Sequence, residues 1–448
     1  MNDMRKEAAL ALEEILYRGG YSSLIVNQHL KAFPSSVSEL DRRFFTGLVY
    51  TTLTHLISID AIIETYSKVP MKKIKPYLLI CLRLGVCQLR YMDGTPDRAA
   101  IYQTVELVKK SRFQALAGYV NGVLRAAQRE ACAFPMPDLE REPVRALALQ
   151  YDMPEWIVQK WMQDYGRGQS EELLQKMTEP GAVCVRINTL KASLEEAKAA
   201  LAGQAEIWPG VLPEAVYVRH TGDISKWKLY EEGWITVQDE SSMLAALAVG
   251  AQPGERVLDL CGAPGGKSTF MAQLMRDQGC ISCRDLYPHR VKLIEDNQKR
   301  LGISCIHAEA ADGCVQRTED QEAYDRVLLD APCSGLGILR SKPDIKLHHR
   351  PEGEEELVQL QRKLLQAAAA ALKPGGTLVY STCTLSKCEN EDQIEWFLQQ
   401  NSKFSVESLE KRLPSLPECD RLWAKYLTLW PQKNGHDGFF VAALKKKG

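Results

Sequence analysis

Two cysteines stand where a bound ligand would meet them. Cys333 follows Asp-Ala-Pro in LLDAPCSGLGILRSKPD, residues 328 to 344, and Cys383 ends the apolar run LVYSTC. Each closes a segment with the short apolar pattern of a strand. A third stretch, RVLDLCGAPGGKST at residues 256 to 269, reads as strand, glycine turn and helix start. Small residues there let a ligand approach the backbone, and the helix start offers free N–H groups to an anion.

Two ligands suit that turn. A nucleoside triphosphate is suggested by GGKS, the end of a P-loop. The full motif needs glycine six residues before the lysine, and Cys261 holds that place. The G-x-G-x-x-G dinucleotide spacing fails as well. S-adenosylmethionine is the other ligand. Asp259 and the backbone at Gly262, Gly265 and Gly266 would hold its methionine end, Asp285 its ribose hydroxyls and Asp312 its adenine edge. With Asp330, these acids end four successive predicted strands and point into one crevice.

Beside a methyl donor, two thiols indicate a demanding acceptor. C5 of cytosine or uracil is a poor nucleophile. A thiolate adding to C6 turns C5 into an enamine-like carbon able to take a methyl group; a base then removes the C5 proton and the thiol leaves. Such a thiol must ionise near neutral pH, which requires nearby positive charge or aligned dipoles. Asp330 is placed to bind N3 or the exocyclic amine, and the target base must be unstacked to enter. This chemistry does not by itself say which of Cys333 and Cys383 attacks.

The elements that must position these groups begin at about residue 239. There RVLDL, CISCRD, SCIHAEA, YDRVLLD and GTLVYSTC alternate with helical stretches, the pattern of a doubly wound parallel sheet. GFFVAALKKK adds a last strand, its lysines expected in solvent. Residues 144 to 238 predict a small α+β domain. It has a helix after Pro154, strands in AVCVRINTL and EAVYVRH, and a helix opened by a Ser193–Glu196 capping box and closed by Gly203. CAFPMPDLEREP, residues 132 to 143, is a Pro-rich linker. Residues 1 to 135 carry helical stripes throughout. They also hold basic clusters at Arg42-Arg43, Lys72-Lys73-Lys75 and Lys109-Lys110-Arg112, which suit RNA phosphates.

Bulk properties bound these readings. The 448 residues are 45% hydrophobic and 25% charged, an ordinary globular composition with room for roughly three domains. No run of about 18 apolar residues predicts a membrane span, and MNDMRKEAALALEEIL lacks a signal-peptide core. Thirteen cysteines, an odd number spread widely, suit reduced thiols in a cytosol. The lone Cys280-x-x-Cys283 has no second pair, so no metal site is expected. The net charge of −1 hides an asymmetry: residues 1 to 130 hold 18 Lys/Arg against 12 Asp/Glu, the rest 38 against 45. A basic first part suits a polyanion partner.

LDLCGAPGGKST, LLDAPCSGLGILRSKPDIK, STCTLSKCENED and HDGFFVAAL together resemble the RNA cytosine-C5 methyltransferases. RINTLK and VQDESSM resemble the approach to the catalytic domain in that family, and the helical N-terminus is similar to the NusB-type RNA-binding fold. The resemblance spans nearly the whole chain. It implies a multidomain protein. An all-α NusB-like N-terminal domain and a small α+β middle domain precede a C-terminal α/β Rossmann-like, S-adenosylmethionine-dependent methyltransferase domain at residues 239 to 448. It also implies roles. Cys383 would be the nucleophile, and Cys333 would assist release of the methylated base beside Asp330. Cys261, Gly262, Ala263, Pro264, Gly265, Gly266 and Lys267, with Asp285, Asp312 and Asp330, would bind S-adenosylmethionine. The implied substrate is one cytidine of 16S rRNA, free or in an early assembly intermediate; a cytoplasmic monomer is expected, since the cysteines suit a cytosol and nothing in the sequence demands more than one chain. Gly262 stands where the family usually has alanine, and Arg284 where a small or apolar residue is common. A competing reading keeps RNA binding and drops catalysis, as an assembly or antitermination factor; the intact APC and STC pair argues against it.

Overall fold

The computed structural model describes residues 3–179, 181–219, 222–416 and 425–448. The chain forms two compact units, Met1–Glu179 joined by Leu339–Arg350, and Pro180–Ile338 joined by Pro351–Gly448. No single helix among the described residues is long and apolar enough to cross a membrane.

The first unit is helical: α1 (Met4–Arg18), α2 (Ser22–Ala32), α3 (Glu39–Thr54), α4 (Leu56–Tyr66), α5 (Pro76–Arg90), α6 (Asp97–Lys109), α7 (Ala117–Arg129), α8 (Pro143–Gln150), α9 (Glu155–Tyr165) and α10 (Arg167–Thr178). Apolar spacing explains the packing. α1 buries Ala8, Leu12 and Ile15 on one stripe, whereas α5 is buried from Leu78 to Gln88 and forms the axis of the unit. Arg83 inside α5 is tolerable because Asp60 takes it through two bonds of 2.7 Å. Arg42, expected to face RNA, instead donates to the carbonyls of Leu30, Phe33 and Pro34 at the end of α2. Arg42 is thereby engaged by the end of α2, while Arg43 of the same cluster stays exposed. Lys72, Lys73 and Lys75 are exposed, as expected.

Leu339–Arg350 is the surprise of this unit, because in sequence it continues the Cys333 motif. Ser22 donates its N–H and hydroxyl to buried Asp344 at 2.9 and 2.5 Å. Lys346 donates to the carbonyls of Thr54 and Asp152 at 2.6 and 2.7 Å, and burial pushes its ammonium down to about 8. The Asp152 carboxylate collects His55 at 2.8 Å and the Ser58 N–H and hydroxyl at 2.8 and 2.6 Å.

The second unit holds two sheets. Strands β1 (Val183–Ile187), β2 (Glu206–Pro209), β3 (Ala215–Arg219) and β4 (Ile235–Val237) make an antiparallel sheet in the order β2-β3-β1-β4. The Ser193–Glu196 capping box opens the helix Leu194–Ala202 beside it. The large sheet uses β5 (Arg256–Asp259), β6 (Cys280–Asp285), β7 (Ile306–Ala310), β8 (Tyr324–Asp330), β9 (Leu372–Thr382), β10 (Phe404–Glu407), β11 (Leu427–Leu429) and β12 (Phe439–Lys446). Its order is β10-β12-β9-β8-β5-β6-β7, with β11 beside β12. The strands from β9 through β7 run parallel, and β10, β11 and β9 pair antiparallel with β12. Apolar residues on both faces of β5, β8 and β9 match their burial between helices. The expectation of solvated terminal lysines fails at Lys446. It is buried and donates to Leu372 O at 2.6 Å while pairing with Glu322 at 3.1 Å.

Candidate active site

The strand order reverses between β5 and β8, so their carboxyl ends open a crevice. Asp259 ends β5, Asp285 ends β6, and Asp330 ends β8 one strand from Ser381 of β9. Asp312 lies in the exposed turn after β7, its carboxylate taking the Cys314 N–H at 2.9 Å.

The glycine turn is held from several sides. Gly265 adopts φ +98°, and the helix Gly266–Leu274 starts directly after it. Arg290 donates to Ala263 O at 3.1 Å and pairs with Asp285 at 3.3 Å; Asn297 donates to Pro264 O at 3.0 Å. Gly262 is explained by Cys283, since a Cβ there would stand 2.3 Å from the Cys283 sulfur and 2.9 Å from the Asp259 carboxyl. The alanine usual at this place does not fit beside a cysteine on β6. Arg284 leaves the strand end intact because it turns away to Asp320, at 2.5 and 2.9 Å, and to Glu309. From the small sheet, fully buried Arg186 of RINTLK donates to Gln238, to Gly266 O at 2.8 Å and to Thr269 at 3.0 Å.

Asp259 tests the fit of S-adenosylmethionine. Ser268 donates to Oδ2 at 2.6 Å, while Oδ1 is buried with no partner among the described residues. Burial lifts this carboxyl to about 7, and nearby Asp330 adds to the rise. A cationic ligand end fits there, since it supplies the missing partner and favours the ionised form. The sign follows. Protonated Asp259 belongs to low pH, so affinity for S-adenosylmethionine is expected to be about tenfold weaker at pH 6 than at pH 8. Folding without the ligand loses stability as pH rises through about 7, where the buried carboxyl must charge. Calorimetric titration of wild type and Asp259→Asn checks this; a pH-independent wild type would take Asp259 out of the ligand contacts.

Beyond the glycine turn the thiols meet. The Cys333 and Cys383 sulfurs lie 3.4 Å apart. Its hydrogen bond to Cys383 holds the Cys333 thiol well above the usual range, with burial and the charges of Glu389 and Asp330 acting the same way. Lys267, which a P-loop would offer to phosphates, instead pairs with Asp330 at 2.6 Å and sits over the Phe439 ring at 5.1 Å. Burial works to discharge Lys267, but Asp330 outweighs it and Cys383 helps keep the ammonium charged. Ser381 donates to the other Asp330 oxygen at 2.8 Å. The Cys333 loop is anchored by Glu389, which the motif reading passed over. This buried carboxylate accepts the Ser334 N–H at 2.9 Å, the Ser334 hydroxyl at 2.5 Å and Gln361 at 3.0 Å. Burial raises its carboxyl, and the Ser334 bonds oppose the rise. Glu389→Ala strands the Ser334 N–H, at a cost of about 1–3 kcal/mol. It is expected to lower kcat roughly 10- to 100-fold with S-adenosylmethionine affinity unchanged. Steady-state kinetics showing a wild-type kcat would refute this anchoring role.

Fold and site together define an S-adenosylmethionine-dependent methyltransferase of Rossmann-like type, preceded by a NusB helical domain and a small ferredoxin-like domain. Residues 246–445 match the family described as 16S rRNA methyltransferase RsmB/F, residues 2–129 the NusB family, and residues 153–225 the RsmF/B-like ferredoxin-like domain. The chain is 38% identical to a probable ribosomal RNA small subunit methyltransferase B of Bacillus subtilis, covering all of this chain and 99% of that protein. It is 37% identical over the full length of both chains to the protein of that name in Synechocystis. A crystal structure of PH0851 superposes with a TM-score of 0.84 at 27% identity, covering 100% of this chain and 99% of the other. The chain belongs to the ribosomal RNA small subunit methyltransferase B family.

Proposed function

We propose that the protein methylates C5 of one cytidine in 16S rRNA through a covalent bond between Cys383 and C6 of the base. The contact between the Cys333 and Cys383 sulfurs past the ends of β8 and β9, beside the Asp330–Lys267 pair, carries this reading. Methylation of N, O or S needs no second thiol. S-adenosylmethionine, held by residues 261–267 with Asp285, Asp312 and Asp330, supplies the methyl group when bound.

The roles follow from charge. Lys267 favours an anionic Cys383 sulfur, and the Cys333 thiol stands against it. Cys383 therefore attacks C6. Asp330, fixed by Lys267 and Ser381, presents its carboxylate to the polar edge of the base. Once the Cys383 sulfur is bonded to carbon, the largest influence holding up the Cys333 thiol is gone. Cys333 is then better able to assist loss of the C5 proton and release of Cys383. The helical residues 1–135 hold the RNA, residues 144–238 support the glycine turn and residues 239–448 catalyse, with a monomer acting in the cytoplasm. The direct test incubates the protein with labelled S-adenosylmethionine and unmodified 16S rRNA, then analyses nucleosides. 5-Methylcytidine is expected. RNA binding without methyl transfer would leave a non-catalytic assembly factor.

A further inference from the structure

The helical unit carries a groove that no motif announces. It lies between α6 and α7 and encloses about 730 Å³. Ile101, Val105 and Ala117 form its apolar floor. Arg98 and Lys109 from α6 and Arg125 from α7 stand around it, and Tyr102 lines it while 59% exposed. An aromatic ring left so open packs little of its own unit. Lys109 pairs with Glu106 at 2.7 Å, but Arg98 and Arg125 make no ion pair among the described residues. Neither arginine belongs to a basic run in the sequence. They meet only because two helices pack side by side.

Gly118 is an independent sign that the groove is kept open. It lines the groove from α7, and nothing lies within 4 Å of where its Cβ would stand. Its backbone is not left-handed. Neither packing nor conformation calls for glycine, which is a poor helix former. What a side chain there would do is fill the groove.

We infer that this groove binds a single-stranded stretch of the RNA substrate, one unstacked base lying against Tyr102 and its flanking phosphates meeting Arg98, Lys109 and Arg125. The inference rests on the RNA substrate proposed above. Its chemistry matches on each count. An apolar floor and an open aromatic ring suit the face of a base, and stacking on an aromatic tolerates any base. Unpaired arginines suit phosphates. Arg98 and Lys109 are eleven residues apart on α6, about 16 Å, so the groove spans a few nucleotides. A site of this kind adds affinity without choosing the cytidine, which leaves choice to the catalytic unit.

The test uses the full-length protein and unmodified 16S rRNA in filter binding at several salt concentrations. The variants are Tyr102→Ala, Gly118→Phe and the double change Arg98→Glu/Arg125→Glu. The double variant is expected to bind at least about tenfold more weakly, with the salt slope reduced by about 1.4 for two phosphate contacts. Tyr102→Ala and Gly118→Phe are expected to lose about fivefold or more with the slope unchanged, as lost stacking requires. S-adenosylmethionine affinity should stay at the wild-type value in all three, and unchanged helical circular dichroism and thermal unfolding of each variant show that the helical unit still folds. Should Gly118→Phe misfold, exposed Tyr102 still decides. Wild-type RNA affinity in all variants overturns the inference and leaves the groove to another occupant, such as an acidic peptide. If the variants lose RNA while even the wild type forms no 5-methylcytidine, the groove stands and the catalytic reading falls.

Discussion

Cys383→Ala is expected to abolish methyl transfer, by about 10⁴-fold or more, and to form no covalent complex with RNA. Cys333→Ala is expected to behave differently. It keeps the attacking sulfur and loses its 3.4 Å neighbour, so a protein–RNA adduct should accumulate and survive a denaturing gel. The two outcomes separate the roles. Contact with Cys383 and burial hold the Cys333 thiol well above its usual range, which suits a group that acts after attack. If both variants still produce 5-methylcytidine at wild-type rates, the sulfurs are packing residues and the covalent route is wrong. If the adduct forms with Cys383→Ala instead, the assignments are reversed.

Lys267→Met is the second large effect. The change keeps side-chain bulk and removes the cation that pairs with Asp330. Two consequences are expected. Asp330 loses the partner that fixes it at the base edge, and kcat should fall by about 10²- to 10³-fold, as for loss of one preorganised charged contact. The anionic form of the Cys383 sulfur also loses its neighbouring charge, so the rising limb of the activity profile should move to higher pH. Lys267→Arg should restore part of the rate and most of the profile, because it returns the charge. A Lys267→Met enzyme with a wild-type profile at lower rate would confine Lys267 to orienting Asp330.

The parts of this site that were readable in the sequence are those whose chemistry is local. A cysteine after Asp-Ala-Pro, a second after Ser-Thr and a glycine turn between strand and helix are each contained in a few residues. So was the capping box at Ser193. What escaped is contact between distant segments. Nothing in GGKS says that Lys267 reaches Asp330, 63 residues on, rather than a phosphate. Arg186 reaches Gly266 across 80 residues, and Glu389 reaches Ser334 across 55. Short strands such as β2, β4 and β11, three or four residues long, carry too little alternation to stand out. The local partners of Arg42 were missed because a charge count is blind to a helix end that needs donors. Arg98 and Arg125 were invisible for the opposite reason, since two helices must pack before they are neighbours.

The burial of Leu339–Arg350 in the first unit bears on how the chain is made. Helices α1 to α10 leave the ribosome as one stretch, yet the places taken by Asp344 and Lys346 stay unfilled. Their occupants are synthesised about 160 residues later, roughly 10–30 s at ordinary rates of translation. For that interval Ser22 and the carbonyls of Thr54 and Asp152 lack the partners they hold in the finished protein. The helical unit is thus completed only after the strand and loop bearing Cys333 have emerged. A nascent chain halted before residue 339 would present this unit with its last piece missing, a ready mark of incomplete synthesis for proteases and chaperones.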